Sequence, residues 1–446
     1  MNSFAGSKNP AQVVVIGASA AGLHAGTLLA EHGVRVLVFD QREHVGPPAR
    51  TLISTPRLKH VLGFVPEEAI LNRTFTLQMI SPGCSAAVRL RQPDWILERE
   101  KLLRLLGRRA EAAGVEILAG YRFLGLEPDG DGALVRLESA TGRSATVPAR
   151  TVIGADGVNS QVARALRHGI LAPAERDGFA SPAGRDGSAS PAKQDGCASP
   201  AKRDDFAGPA TQQGRAVRAT VYNLQAVVAM PAWASRDTTQ VWFDPALTRY
   251  FAWLIPESRE RAVAGLIADD ECQARESLGR FLAAHALDPL GLQEGEVPLH
   301  DPHDVRSRKV GGAEVLLVGD AAGQVKVTTV GGLVTGLRGA QAAVRAIVSG
   351  SSYDRELSAL ERELDGHLWV RRVLNRFSAR DYGQLLALLN ARTREVLAAH
   401  TRDEALRVLL GVALAQPGFG LLAVRCLLRG GATRPASAAP SAQWAG

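Results

Sequence analysis

The chain has 446 residues, 46% of them hydrophobic and 22% charged, which excludes both a small single module and wholesale disorder. Lysine and arginine outnumber aspartate and glutamate by 52 to 45, a net charge of +7 that suits an anionic cofactor, an anionic substrate or a membrane surface, and equally ordinary surface charge. Aromatic residues make up only 5% and no basic run interleaves with them, so no nucleic-acid partner is expected. Cys84, Cys197, Cys272 and Cys426 lie far apart with no CxxC pair, so neither a zinc site nor a disulfide framework is expected. Residues 1–12 lack the pattern of a secretory leader, and a reducing, cytoplasmic setting is expected.

Residues 12–16 form a short β-branched apolar run, 17–22 are rich in small residues, 23–32 favour helix, and 34–40 are apolar again. Strand, tight turn, helix and strand in that order predict a βαβ unit, and hence a parallel sheet with helices on its faces. Leucines at helical spacing predict a helix over 98–113, with strands following at 115–118, 133–137 and 151–155. Four tandem nine-residue copies come next: RDGFASPAG from Arg176, RDGSASPAK from Arg185, QDGCASPAK from Gln194 and RDDFAGPAT from Arg203. Each carries a turn signal, a proline and too little apolar surface to offset its ordering entropy, so 172–214 are expected to be a disordered insertion. A partner-binding solenoid would need a buried stripe that these units lack.

Strand-like runs at 217–228, 239–243 and 250–255 predict a second, mainly antiparallel sheet. Residues 314–318 return to the first sheet, while 330–349 and 353–400 read as helices. Residues 408–424 carry no charge, but Gln416, Pro417 and Gly418 interrupt them. That predicts a helix-turn-helix which covers a greasy pocket or touches a membrane surface, rather than a span. The expected fold class is α/β: a Rossmann-type domain over 11–171 and 301–350, and a β-sheet substrate domain over 215–300 that draws in part of 45–95. A helical region over 351–430 and a disordered tail over 431–446 complete it.

The segment GASAAG follows a strand and opens a helix. Gly17 allows the tight turn, Gly22 allows close packing of helix on strand, and Ser19, Ala20 and Ala21 bring small side chains and backbone amides to a diphosphate. Asp40, followed by Gln41, ends the second strand where an acid would bond a ribose hydroxyl. A plain turn would explain GxSxxG alone; strand, helix and Asp40 in register point to a nucleotide.

Two later segments, TVIGADGVNSQVARA at 151–165 and VLLVGDAAGQVKVTTVGGLVTGLRGAQAA at 315–343, each place an aspartate at the carboxyl end of an apolar strand, where ligands lie in open α/β sheets. With these three motifs in order, the chain resembles FAD-dependent oxidoreductases of the aromatic-hydroxylase-like superfamily and, within it, the geranylgeranyl reductase family. The resemblance runs from about residue 13 to about 399, apart from the repeats. It implies a bound FAD, with NAD(P)H as the transient electron donor. It further implies that Gly319 and Asp320 meet the ribityl or phosphate region and that Gly331 and Gly332 approach the flavin ring at a helix amino end. By the same resemblance, Arg99 lies against the FAD, and Asp156 with Gly157 forms a DG motif tied to FAD and nicotinamide phosphates. A solvated helix charge is the other reading of Arg99, and a strand-ending turn that of Asp156.

The chain also departs from the family pattern. Val327 stands where GDAAGQVKPTTGGG has proline, Val330 where it has its first glycine, and Thr51 where the family often has a cysteine after an arginine. FAWLIP at 251–256 resembles the YxWxFP pattern of the reductases and equally the WxWxIP pattern of flavin-dependent halogenases. Thr51, Phe251 and Trp253 are therefore the substrate-side candidates. Residues 71–80, read as a loop, contain no lysine of the kind halogenases need, so halogenation is not expected. Glu67 and Glu68 read as solvated surface, and His300 and His303 have no further metal ligands near them in sequence. Chemistry is expected from the flavin, and no catalytic side chain is assigned. The expected activity is reduction of a C=C bond in a hydrophobic, isoprenoid-type substrate. The alternatives are a monooxygenase acting on an aromatic or polyketide-like small molecule and a non-catalytic FAD-binding protein.

Overall fold

The structure is a computed structural model that describes residues 11–46, 48–168, 211–212, 215–216 and 218–428. Two eight-stranded sheets organise it. The first runs in the order Ser307–Val310, Ala313–Leu317, Ser144–Gly154, Ala11–Ile16, Val36–Asp40, Glu116–Ala119. Its inner strands pair in parallel, and a hairpin of Tyr121–Asp129 and Gly132–Ser139 adds to the long strand Ser144–Gly154. Parallel strands must be covered on both faces. Helices Ala20–Glu31, Arg99–Ala112, Leu333–Ser349 and Tyr353–Leu374 share one buried cluster on one face, and the hairpin with helix Gln161–His168 shares the other.

The second sheet runs Pro289–Pro298, Thr220–Ala229, Arg261–Ala268, Ala252–Pro256, Thr238–Trp242, Ile70–Ser81, Cys84–Glu98, Thr51–Ser54. All its pairings are antiparallel except that between Thr238–Trp242 and Ile70–Ser81. Three of these strands, Thr51–Ser54, Ile70–Ser81 and Cys84–Glu98, precede the repeats, so this sheet is assembled from both sides of them. Residues 71–80 form a strand rather than a loop.

Several boundaries move. The helix expected from 330 starts at Leu333, with Gly332 as its N-cap, because Val330 has a left-handed φ of 50° that no helix accommodates. Within the insertion, Thr211–Gln212 pair antiparallel with Arg215–Ala216. The rest of the expected disordered insertion and the tail at 431–446 lie outside the described residues. The uncharged segment forms helices Ala405–Ala415 and Gly418–Leu428, bent by 108° across the Gln416-Pro417 break. No single helix among the described residues is long and apolar enough to cross a membrane. Cys84 is a free thiol, but Cys272 is disulfide-bonded, contrary to the expectation of no disulfide framework.

Candidate functional site

The three motifs meet at the carboxyl edge of the first sheet. Gly17 has φ 107°, and a Cβ there would lie 2.4 Å from the Ala155 carbonyl oxygen, so only glycine lets the first turn approach the strand carrying Asp156. A Cβ on Gly22 would meet the Gly17 carbonyl at 2.2 Å. Ser19 is the N-cap of Ala20–Glu31, its hydroxyl accepting from the Gly22 amide at 3.2 Å. The serine in place of the middle glycine thus stabilises the helix end whose remaining amides face the site. Gly319, at φ 64°, packs against Ala21, which brings the third motif onto the first.

The acids differ in what they do. Asp40 is buried, and its carboxylate accepts from the Ala18 amide at 2.7 Å and the Arg42 amide at 2.8 Å. It closes the glycine turn while keeping lone pairs to spare, and Gln41 beside it is exposed. Asp156 accepts from the Ser160 hydroxyl and from the amides of Gln161 at 2.7 Å and Val162 at 3.2 Å. Its side chain therefore caps the helix Gln161–His168, a structural role that the sequence reading underweighted, and Gly157 supplies the left-handed turn between them.

Asp320 is the exception. Its carboxylate has no hydrogen-bond partner among the described residues, yet burial pushes its pKa up while Arg50, Arg99 and Arg218 oppose that shift. Arg218 donates to the backbone carbonyls of Asp320 at 2.8 Å and Ala321 at 3.0 Å, holding the turn from behind, and its own charge is met by Asp304. A Cβ on Gly332 would lie 3.0 Å from the Asp320 carboxylate, so the acid and the amino end of Leu333–Ser349 are adjacent. That helix has no side-chain cap, which leaves its first amides open.

Arg99 donates to the carbonyls of Gly46 at 2.9 Å and Pro48 at 3.2 Å, and burial, then Arg42 and Arg50, push its pKa down to about 10. The charge of Arg50 acts on both Arg99 and Asp320, and its Nε has no partner among the described residues. Repelling guanidiniums, an unpartnered carboxylate, the uncapped amino end of Leu333–Ser349 and glycines that a Cβ would block make a mixed-charge site. These residues fit a dinucleotide such as FAD. Arg50 escaped the sequence reading, although its place before Thr51 in the family pattern was a signal.

The substrate-side candidates lie on the second sheet. Thr51 is buried, its hydroxyl donating to buried Glu257, its amide to Gln293 at 2.8 Å, and its carbonyl accepting from Gln225 at 3.1 Å. Phe251 and Trp253 pack with tilted rings at a centroid distance of 5.7 Å, and Trp253 is buried with its indole N–H unpartnered among the described residues. Trp253 shares an apolar cluster with Val325, Val327 and Val330, so the aromatic strand abuts the loop that carries the third motif. His300 is buried and bonded to Asp365 at 3.0 Å, and no metal-binding cluster exists among the described residues.

The chain matches the FAD binding domain family over residues 10–180. It is 27% identical over 370 residues to digeranylgeranylglycerophospholipid reductase 1 of Methanothermobacter thermautotrophicus, covering 78% of this chain and 81% of that one. It is 24% identical to the digeranylgeranylglycerophospholipid reductase of Methanocaldococcus jannaschii, covering 82% and 87%. Its fold is similar to a geranylgeranyl bacteriochlorophyll reductase-like protein from Thermoplasma acidophilum, with a TM-score of 0.72 at 16% identity over 93% of this chain and 98% of that one. A probable FAD-dependent monooxygenase from Pseudomonas aeruginosa aligns with a TM-score of 0.57 at 18% identity, covering 85% and 100%. With an FAD-binding domain, this architecture and these relatives, the chain is an FAD-dependent oxidoreductase that resembles the geranylgeranyl reductase family.

Proposed function

We propose that this protein uses FAD, reduced by NAD(P)H, to saturate a carbon-carbon double bond in a hydrophobic, isoprenoid-type substrate. The observation that carries the reading is the apolar wall of Phe251 and Trp253 packed against the valines of the third-motif loop, in a chain whose relatives are named for lipid reduction. Such a wall suits a long hydrocarbon and offers few groups to orient a polar ring.

The residues divide the work. Gly17, Ala20, Ala21 and Gly22 let the amino end of Ala20–Glu31 approach the diphosphate, with Asp40 toward the ribose. Gly157 widens the turn beside Asp156, while Arg50 and Arg99 balance the diphosphate's charge. Asp320, next to Gly319, accepts from ribityl hydroxyls, and Gly331 with Gly332 allows the ring to lie against the loop. FAD, when bound, supplies the hydride chemistry. The open amides of Leu333–Ser349 favour negative charge at that end. Thr51 stands where a thiol would be, and its bond to Glu257 keeps a polar hydroxyl at the apolar wall.

The C-terminal pair adds a contact with a lipid surface. Leu410, Leu414, Leu421 and Leu428 are exposed, and 405–428 contain arginine but no acidic residue.

The test is a visible spectrum of the purified protein followed by anaerobic addition of NADPH or NADH and then an isoprenoid lipid. Bleaching of a flavin spectrum, followed by anaerobic saturation of the lipid, is expected. Oxygen consumption coupled to hydroxylation of an aromatic compound would favour a monooxygenase instead, and a protein that takes up no FAD would overturn the reading.

A further inference from the structure

Within the third motif, Lys326 is buried in a charged pair with an acid, Asp403, that lies outside every nucleotide motif. Lys326 is 7% exposed and Asp403 is fully buried. The two form an ion pair across 77 residues of sequence. Asp403 lies between helices Ala391–Ala399 and Ala405–Ala415, and its second carboxylate oxygen accepts from the Thr55 hydroxyl. Its backbone carbonyl accepts from Arg57 at 3.1 Å. One carboxylate thus joins the C-terminal helices, the end of the second sheet and the third-motif loop. Burial opposes its ionisation, but Lys326, Thr55 and Arg402 hold its pKa at about 2.

A buried ion pair of this kind is seldom more stable than apolar residues of the same size, so stability alone does not explain it. Its location does point to a use. The Lys326 amide donates to the Gly331 carbonyl at 3.2 Å, pinching the loop into a bridge, and the ammonium lies 3.9 Å from where a Gly331 Cβ would be. Around it, the Thr329 hydroxyl and His367 Nε2 are buried with no partner among the described residues. The other nitrogen of His367 is bonded to Thr328 at 2.7 Å. Unmet polar atoms, an uncapped helix end and a fixed cation converge on one loop.

We propose that Lys326 is a further cofactor-binding residue and that Asp403 is its positioning residue: the ammonium fixed at the Lys326–Gly331 bridge places positive charge beside the flavin and raises its affinity for electrons. This rests on the reading of the groove as an FAD site. Charge near the ring is one of the protein's means of tuning a flavin, and in a buried setting it acts strongly. Asp403 on the far side of Lys326 then moderates the same charge.

The two members of the pair are therefore expected to act in opposite directions. In the full-length protein loaded with FAD, Lys326→Met lowers the flavin midpoint potential and weakens sulfite binding to the flavin by about tenfold. Asp403→Asn, which keeps the lysine and removes its counter-charge, raises the potential and tightens sulfite binding. The double variant falls between Lys326→Met and the unaltered protein, and Lys326→Arg stays near the latter. A structural role alone would move both single variants the same way, and that result, or an unchanged potential in both, overturns the proposal. Should Lys326→Met not fold, the near-isosteric Asp403→Asn decides: a potential unchanged or lowered overturns it. Failure of the unaltered protein to take up FAD would instead defeat the underlying reading of the groove.

Discussion

At the nucleotide end of the groove, backbone meets backbone: Gly17 and Gly22 lie so close to Ala155 and to each other that a single added carbon would overlap a carbonyl. At the third-motif loop, the corresponding turn is built from side chains. Val327 is fully buried, Val330 is held at φ 50°, and Lys326 is anchored by a carboxylate from the C-terminal region. Gly17 and Gly22 tolerate no side chain because their contacts involve atoms every residue has. The third-motif loop carries valines where the reductase-like pattern has proline and glycine, and is held by packing from distant parts of the chain.

The sharpest way to break that contrast is at Gly22. Gly22→Ala places a Cβ 2.2 Å from a carbonyl oxygen, and a loss of about 3 kcal/mol or more is expected, with loss of retained FAD. Thermal unfolding and the flavin absorbance of the purified variant check it.

Next comes the buried pair. Lys326→Met strands the Asp403 charge and is expected to cost about 3–5 kcal/mol, most of it recovered by adding Asp403→Asn. Denaturant unfolding of the two variants measures this, and equal losses in both would deny the coupling.

Acid should act through buried histidines. Burial, chiefly, holds His24 at about 4 and His367 at about 3. Both are depressed below 6.5, so between that pH and those values the unfolded chain binds more protons and stability falls as pH falls. His24 alone should account for a loss on the order of 3 kcal/mol by pH 4, and His24→Leu should flatten that slope. Asp403 adds a further loss as pH drops from about 4 toward 2, since its depressed value stabilises the fold only while it is ionised.

A finer comparison sets the two valines side by side. Val327→Ala opens space in a fully buried site and should cost about 2 kcal/mol. Val330→Gly loses similar apolar burial but releases a left-handed conformation worth about 1–2 kcal/mol, so its net cost should be well under half of the Val327 effect. Equal Tm shifts would show that the loop has no strain at Val330.

The smallest effect on stability belongs to the exposed leucines. Leu414→Asp with Leu421→Asp should change unfolding by less than about 0.5 kcal/mol while reducing flotation with anionic liposomes. Unchanged flotation would remove the lipid surface from the reading.

The βαβ unit, its Gly17-to-Asp40 spacing and the two later Asp-bearing strands were legible because each is a local pattern whose parts lie within one or two turns of chain. The helix break at Gln416 and Pro417 was legible for the same reason. The role of Asp156 was legible only in outline: a strand-ending aspartate reads the same whether it meets a cofactor or caps the next helix. In the structure three directed bonds show the cap. Likewise, GGL after a valine reads as a helix start at Val330, and the structure begins the helix at Leu333.

Sequence by itself determined the nucleotide fold and the order of its motifs, since glycines at fixed spacing and apolar strands ending in acids constrain the backbone locally, and the family resemblance of those motifs pointed to FAD. Only the tertiary structure decided which charges meet. Lys326 is an unremarked residue of the motif and Asp403 one acid among many; they become a pair because the C-terminal helices fold back against the third-motif loop. Short-range sterics are written in neighbouring residues, whereas electrostatic partnership depends on distances that exist only after the chain has closed on itself.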